Sequence, residues 1–215
     1  MKLSVVIPFY NEENMIQKMY DELVKEINQI TKAEFEIIFI NDGSKDRTFE
    51  RMLAIAAGDS RVKYISFSRN FGKEAGTIAG LEYATGEAVI LMDGDLQHPP
   101  AMLPQMIEAY EQGYDVVSAR RTRTGEKRHR TFLAKHFYKL ANKMMDIELM
   151  DGVSEFRLFS RKVVNAIISM QEYNRFSKGI FAWIGFNEKV IEYENQVRTV
   201  GETKYSLKFS LNYAI

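Results

Sequence analysis

The sequence predicts an α/β protein built on a doubly wound, mostly parallel sheet with helices on both faces. Short apolar runs rich in β-branched and aromatic residues alternate with segments whose apolar residues recur every three to four positions. The apolar runs show no polar alternation, which is typical of strands that are covered on both faces. With 215 residues, of which 46% are hydrophobic, the chain is long enough to bury one such core.

Five strands and four helices follow from this pattern. The predicted strands are 3–9, 35–40, 62–67, 87–92 and 115–119, and the predicted helices are 15–30, 46–57, 72–84 and 100–112. In the first helix Met19, Leu23 and Ile27 share one face, as a helix packed on a sheet requires. Ligands of open α/β sheets bind at the carboxyl ends of the strands, so functional residues are expected just after each strand.

Composition excludes several classes of protein. Lys plus Arg and Asp plus Glu both total 29, and this zero net charge argues against a nucleic-acid partner. The absence of Cys excludes disulfides, a thiolate nucleophile and a Cys-built metal site. No apolar run approaches the ~18 residues of a membrane span. Without a Pro-, Gly- or Ser-rich linker, the chain is expected to be a single domain over 1–215.

Two carboxylates follow the fourth strand in the segment Asp93-Gly94-Asp95. Like charges this close are costly unless a cation compensates them. Carboxylate oxygens suit hard ions such as Mg²⁺ or Mn²⁺, which also coordinate a diphosphate. The segment therefore predicts a metal site, and the alternative is a simple turn. His98 is either a further ligand or a structural loop residue.

Two more strand ends carry candidate groups. Asp42 follows the second strand, where it either forms part of a turn or accepts hydrogen bonds from the base or ribose of a nucleotide. In the same turn, Ser44 or Asp46 can cap the next helix. Lys73 and Arg69 lie at a helix start, either near a phosphate or as solvated charges.

The composition changes after the fifth strand. Residues 118–139 contain eight Lys or Arg residues and only one acidic residue, Glu126. This segment is a solvated helix face, a nucleic-acid contact or, as we favour, a contact with substrate phosphates and anionic lipid headgroups, because Phe132, Phe137 and Tyr138 are interleaved. The final segment, 205–215, alternates as a strand would, although its apolar residues also fit one face of a helix.

Several motifs in order resemble family 2 glycosyltransferases. They are residues 5–12, 41–48, 70–75 and 92–100, followed by 155–158, 175–176, 183–186 and 201–205. The later group is similar to the branch that glycosylates polyprenyl phosphates, which includes bactoprenol glucosyltransferases and dolichol-phosphate mannose synthases. The resemblance covers nearly the whole chain.

The resemblance implies a GT-A (Rossmann-like) fold and an inverting, metal-dependent hexosyltransferase. It would move a sugar from a nucleotide-diphosphate donor, of the UDP-glucose or GDP-mannose type, to a polyprenyl phosphate. The implied donor-binding residues are Pro8, Tyr10, Glu12, Asp42, Lys73 and Asp93, and the implied ligands for Mg²⁺ or Mn²⁺ are Asp93, Asp95 and Gln97. The implied catalytic residues are Asp95, Glu155 and Arg120. The residues implied to contact the acceptor phosphate are Arg120, Arg121, Arg128 and Arg157.

The family also implies a division of the chain. Residues 1–119 would bind the nucleotide sugar, 120–204 would face the acceptor, and 205–215 would begin an amphipathic, membrane-proximal segment whose following spans are missing here. The protein would then act at the cytoplasmic face of the cell membrane, and a homo-oligomer is left open.

Glu155 departs from the family pattern, which usually has Asp at this position. Asp151 is the competing carboxylate, and Glu155 could instead be an ion-pair partner that orients Arg157. A phosphate monoester has a second pKa of about 6 and is already a nucleophile at neutral pH, so a strong base is less necessary than for a hydroxyl acceptor. Two rival functions remain, namely a family 2 enzyme with a saccharide hydroxyl acceptor and a non-catalytic nucleotide-binding module.

Overall fold

The computed structural model describes residues 1–122, 153–170 and 177–194. Its strands are β1 Lys2–Phe9, β2 Glu34–Asn41, β3 Val62–Ser66, β4 Ala88–Leu91, β5 Val116–Arg121, β6 Val153–Ser160 and β7 Glu188–Tyr193. Its helices are α1 Ile16–Ile27, α2 Thr48–Gly58, α3 Lys73–Tyr83, α4 Leu103–Glu111, α5 Arg161–Ser169 and α6 Ser177–Trp183, with a 3₁₀ turn at Pro100–Met102.

The strands form one seven-stranded sheet in the order β3-β2-β1-β4-β6-β5-β7. Neighbours pair in parallel except at β6, which is antiparallel to both β4 and β5. Val5 of β1, for example, lies between Ile37 of β2 and Ile90 of β4. The predicted doubly wound, mostly parallel sheet is confirmed.

Helices cover both faces of this sheet. On one face α1, α2 and α4 bury Leu23, Met52 and Met106 against the strands. On the other face, α3 and α5 bury Leu81 and Val164, and Phe181 of α6 joins the same cluster. These two apolar clusters explain why the central strands read as continuous apolar runs in the sequence.

The strand order reverses between β1 and β4, and we call the carboxyl ends of these two strands, where such folds bind ligands, the crevice. The Met92 N–H donates to the Val6 carbonyl, and this bond extends the β1–β4 ladder beyond the last pair, Val6 with Leu91. Backbone groups alternate sides along a strand, so the next group of β1 on this side is at Pro8, which has no N–H to donate. Proline therefore ends the pairing at the switch point where such folds bind ligands.

Close packing of α3 on β1 places the helix start over this crevice. A Cβ at Gly80 would lie 2.1 Å from Val6 Cγ1, and one at Gly76 would lie 3.4 Å from Pro8 Cβ. Glycine at these positions lets the helix approach the strand closely. As a result Lys73, the first residue of α3, lies next to the residues that follow β4.

All five predicted strands are present, with ends that differ by one or two residues. The largest difference is at β5, which was predicted to end at Ala119 and continues to Arg121. Strands β6 and β7 were not predicted from the sequence. Residues 123–139 of the basic segment and the segment 205–215 lie outside the described residues. Within the part of the chain that the structure describes, no helix has the length and apolarity needed to cross a bilayer.

Candidate active site at the ends of β1, β4 and β6

Three charged side chains meet at the crevice. Lys73 Nζ lies 2.5 Å from Asp93 Oδ1 and 2.6 Å from Glu155 Oε2. The three residues come from the start of α3, the segment after β4 and the antiparallel strand β6. We call these residues the Asp93–Lys73–Glu155 cluster. It joins residues predicted separately as donor-binding and catalytic.

Burial and charge act in opposite directions on Lys73. Desolvation favours the neutral amine, but the carboxylates of Asp93 and Glu155 outweigh it and raise the pKa of Lys73 above its ordinary value. The side chain is 33% exposed. Lys73 is thus a fixed ammonium ion that two carboxylates share.

The loop after β4 is held by its own side chains. The Asp93 N–H donates to His98 Nδ1 at 2.9 Å, and the Gln97 N–H donates to Asp95 Oδ1 at 3.1 Å. His98 Nε2 is 3.7 Å from Asp93 Oδ2, and the imidazole stacks on Phe156 with ring centroids 5.2 Å apart. His98 therefore closes the loop and faces Asp93, which favours its structural interpretation.

Burial also explains the protonation state of His98. The residue is 4% exposed, and desolvation is the main cause that lowers its pKa. An imidazole whose Nδ1 accepts a hydrogen bond carries its proton on Nε2, the atom that faces Asp93. The carboxylate of Asp93 thus has Lys73 at one oxygen and His98 near the other.

Gly94 sets the position of this loop against β1. A Cβ at Gly94 would lie 2.3 Å from Cε1 of Phe9. The Phe9 ring is buried and meets Phe39 edge to face, with centroids 5.3 Å apart. The loop that carries the two carboxylates is therefore packed, at Gly94, against a fixed aromatic ring.

Asp42 is buried under the loop that leads into α3. Its carboxylate accepts hydrogen bonds from the Phe71 N–H at 2.7 Å, the Gly72 N–H at 3.0 Å and Asn70 Nδ2 at 2.8 Å. Burial is the first cause of its raised pKa, and the two backbone hydrogen bonds oppose it. In this structure Asp42 holds the loop that carries Lys73.

The turn after β2 is joined to the turn after β1. The Asn11 N–H donates to Ser44 Oγ at 3.0 Å, and the Glu12 N–H donates to Thr48 Oγ1 at 2.8 Å. The predicted cap, Ser44 or Asp46, is not the N-cap of α2, which is Arg47 without a side-chain cap hydrogen bond; Asp46 Oδ1 instead accepts from the Thr48 N–H at 3.0 Å, just before the helix. Tyr10 and Glu12, predicted to bind the donor, therefore lie in a braced loop after β1, whereas Pro8, predicted with them, lies within β1 near its carboxyl end.

The arginines predicted to meet the acceptor have different surroundings. Arg120 on β5 forms an ion pair with Glu192 of β7, and both side chains are about half exposed. Arg157 is buried, with Nη1 3.3 Å from Glu188 Oε1 and its guanidinium carbon 5.1 Å from the centre of the Phe181 ring. Its Nε has no hydrogen-bond partner among the described residues.

Arg157 and Arg120 therefore differ in burial and in access to a substrate. Burial is the main cause that lowers the pKa of Arg157, and the nearby carboxylates oppose it. A side chain that is only 6% exposed does not fit the predicted direct contact with an acceptor phosphate. Arg121 lies beside Arg120 on β5, whereas Arg128 and the alternative carboxylate Asp151 lie outside the described residues.

Sequence reasoning missed the partners of these charges. Glu188 and Glu192 belong to β7, which was not predicted, and the bridging position of Lys73 depends on β6 lying beside β4. No local pattern signals an antiparallel strand that comes from later in the chain. Within residues 1–122, 153–170 and 177–194, no group of three or more His, Asp or Glu side chains is arranged so that it could hold a metal ion.

Comparison with known proteins agrees with this architecture. The family model "Glycosyl transferase family 2" matches residues 4–168. The chain is 49% identical to the putative glycosyltransferase CsbB of Bacillus subtilis, over 99% of this chain and 64% of that protein. It is 44% identical to the prophage bactoprenol glucosyl transferase homolog of Escherichia coli, and 43% identical to the bactoprenol glucosyl transferase of Shigella phage SfX. Each of these two matches covers 96% of this chain, with 67% and 68% of the relatives.

Solved structures share the fold at low sequence identity. A mannosyltransferase from Pyrobaculum calidifontis, in complex with GDP-Man and Mn²⁺, matches 88% of this chain and 54% of its own with a TM-score of 0.62 and 17% identity. Glucosyl-3-phosphoglycerate synthase from Mycobacterium tuberculosis, with Mn²⁺, UDP-Glc and phosphoglyceric acid, matches 98% and 74% with a TM-score of 0.59 and 20% identity. The fold is thus GT-A, and the chain, which spans about two thirds of the length of its curated relatives, belongs to glycosyl transferase family 2.

Proposed function

We propose that the protein transfers a sugar from a nucleotide-diphosphate donor to a polyprenyl phosphate, with inversion at the anomeric carbon. The observation that carries this proposal is the Asp93–Lys73–Glu155 cluster, which gathers carboxylates and one ammonium at the switch-point crevice. The relatives named bactoprenol glucosyl transferase support a lipid phosphate as acceptor and glucose as the sugar. They match this chain at 43 to 44% identity.

The donor would lie along the carboxyl ends of β1 and β4. Tyr10 and Glu12 in the braced loop after β1 are proposed to contact the nucleoside, together with Pro8. Asp42 is proposed to act at the same subsite and also to hold the 70–72 loop. The donor diphosphate would then reach Lys73 and the loop after β4.

The residues after β4 fit a divalent cation. Asp93 and Asp95 offer carboxylate oxygens and Gln97 an amide oxygen, which are ligands for Mg²⁺ or Mn²⁺. Mg²⁺ sites commonly use one or two carboxylates plus substrate phosphates, so the lack of a larger cluster among the described residues fits a site completed by the donor. The chemistry such an ion supplies is neutralisation of the charge on the leaving diphosphate.

On the acceptor side, the lipid phosphate is the nucleophile. One of its oxygens would attack the anomeric carbon while the bond from that carbon to the donor phosphate breaks. Glu155, held by Lys73 at 2.6 Å, would orient the groups on this side. Arg120, Arg121 and Arg128 are proposed to contact the acceptor phosphate, and Arg157, which is buried, would act through Glu188.

We also propose a separate role for each of three parts of the chain. Residues 1–119 would hold the donor, 120–204 would face the acceptor, and 205–215 would lie near the membrane. A polyprenyl tail stays in the bilayer, so the site would operate at the membrane surface, where basic residues add affinity for anionic lipids. The basic segment after Arg121 would supply that contact.

A calorimetric screen of nucleotide sugars, with and without Mn²⁺, tests the donor half of this proposal. UDP-glucose or a related donor should bind the wild-type protein with Mn²⁺ present. Asp95→Asn should abolish the metal-dependent part of that binding with the fold intact, because the amide replaces a half-exposed carboxylate of equal size. Lys162→Met, at the opposite end of the sheet, is the control and should bind normally. Equal donor affinity in Asp95→Asn would refute the metal assignment.

A further inference from the structure

The ammonium of Lys73 lies directly beside Asp93, one of the proposed metal ligands. Lys73 Nζ lies 2.5 Å from Asp93 Oδ1, and His98 Nε2 lies 3.7 Å from the other oxygen, Asp93 Oδ2. In the unliganded protein both oxygens of Asp93 thus face a group of the protein. A divalent cation that coordinates Asp93 would therefore come close to the Lys73 ammonium and compete with it for this carboxylate.

The charges around the crevice give the energetic consequence. Asp93, Asp95 and Glu155 supply three carboxylates, and Lys73 already compensates part of that charge. A dication entering alone would meet the ammonium at close range and would weaken its interaction with Asp93. Repulsion between like charges is strong in a partly buried site, so the metal alone should bind poorly.

A nucleoside diphosphate changes this balance. Its phosphate oxygens supply negative charge to both cations at once, giving the metal further ligands and Lys73 a new partner. The α3 start, where Lys73 is the first helical residue, is a favourable place for an anion because its N–H groups point outward. Lys73 can then leave Asp93 without losing its electrostatic compensation.

We propose that Lys73 is a resident counter-ion that makes metal binding at Asp93 depend on the nucleoside diphosphate. The inference rests on the proposed function, since it concerns the same metal site, and it adds an order of assembly to it. Metal and nucleotide then bind as a pair, and by linkage each increases the affinity of the other by the same factor. Lys73 is in this sense a positioning residue whose effect appears in binding before any sugar is transferred.

The experiment is a Mn²⁺ titration of the whole chain, followed by the electron paramagnetic resonance signal of free Mn²⁺, alone and with saturating UDP or GDP. In the wild type Mn²⁺ should bind weakly alone and much more tightly with the nucleotide. In Lys73→Met, Mn²⁺ alone should bind about tenfold more tightly, as expected for loss of one competing, partly buried charge. The coupling factor between metal and nucleotide should fall correspondingly.

Two further variants separate charge from general damage. Lys73→Arg keeps the positive charge, so Mn²⁺ alone should still bind it weakly, whatever the larger guanidinium does to nucleotide affinity. Lys162→Met removes a lysine whose Nζ lies 2.7 Å from Asp115, at the opposite end of the sheet, and it should also leave Mn²⁺ binding unchanged. Circular dichroism of each variant shows whether the fold is retained.

The possible failures are distinguishable. If Mn²⁺ does not bind the wild type even with nucleotide, the proposed metal site is wrong and the inference falls with it. If the wild type binds the pair but Lys73→Met binds Mn²⁺ alone no more tightly than the wild type, the metal site stands and the counter-ion role of Lys73 is refuted.

Discussion

Replacing Gly94 by Ala tests how tightly the loop after β4, which carries Asp93 and Asp95, packs against the core. The new Cβ would lie 2.3 Å from Cε1, 2.6 Å from Cδ1 and 3.0 Å from Cζ of Phe9. Ordinary carbon contacts begin at 3.4 Å, so the shortest of these falls short by 3.4 minus 2.3, or 1.1 Å. Gly94 is not among the residues with positive φ, so steric overlap is the only obstacle to Ala.

The overlap cannot be relieved at low cost. The Phe9 ring is 1% exposed and packs against Phe39, so either the ring or the loop has to move by about 1 Å. Overpacking of this kind costs typically about 1–3 kcal/mol. If the loop moves instead, Asp93 and Asp95 shift with it, and a displacement of about 1 Å can reduce catalysis by about a hundredfold.

A double-mutant cycle separates this overlap from other effects. Urea unfolding should show Gly94→Ala to be less stable than the wild type by about 1–3 kcal/mol. Phe9→Val alone should cost about 2 kcal/mol, because it leaves a cavity. In the double variant the cost of Gly94→Ala should disappear, giving a coupling energy of at least about 1 kcal/mol.

Gly58→Ala provides the matched control. A Cβ at Gly58 would meet nothing within 4 Å, and the residue lies at the end of α2. It should therefore be neutral or slightly stabilising. Two results would refute the packing of this loop against Phe9. One is that the effects of Gly94→Ala and Phe9→Val on the free energy of unfolding are additive, and the other is that Gly94→Ala is as stable as the wild type.

Two other variants test charge. With donor and lipid phosphate supplied, Glu155→Gln should lose less transferase activity than Asp95→Asn. Raising the pH should not restore the activity of Glu155→Gln, because the phosphate acceptor is already ionised. Strong rescue at high pH would favour a hydroxyl acceptor. For Glu36, burial opposes ionisation, but hydrogen bonds from Lys63, Ser4 and Thr85 lower its pKa below the ordinary 4.5. Its stabilisation is complete above that pH and declines below it. From pH 7 to pH 3 the wild type should therefore lose more free energy of unfolding than Glu36→Gln, and equal losses would contradict the role of this cluster.

The N-terminal half of the fold could be predicted because its signals are local. Each strand from β1 to β5 is an apolar run that ends at a turn, and each intervening helix shows its own periodicity. The Asp42-Gly43 turn is present with a Gly43 φ of +62°, and α3 begins at Lys73, within the predicted helix start. Residues that follow strands are brought to one edge by parallel pairing alone.

The site itself needed contacts between distant parts of the chain. Glu155 reaches Lys73 only because β6 inserts antiparallel between β4 and β5, and nothing near Glu155 in the sequence indicates that neighbour. Arg157 shows the same difficulty: a basic residue in a motif suggested phosphate contact, whereas its partner Glu188 comes from β7. Such ion pairs depend on the topology of the whole sheet and on burial, and a single sequence motif indicates neither.

Transfer of labelled sugar to a lipid acceptor in vesicles tests whether the protein glycosylates a polyprenyl phosphate. The donor identified by calorimetry would be offered with Mn²⁺ to polyprenyl phosphate and, as the matched acceptor, to the polyprenol that lacks the phosphate. We expect the wild type to form a polyprenyl sugar phosphate of inverted anomeric configuration, and we expect no product from Asp95→Asn and none with polyprenol. Equal transfer to the alcohol, or unchanged transfer by Asp95→Asn, would contradict this expectation.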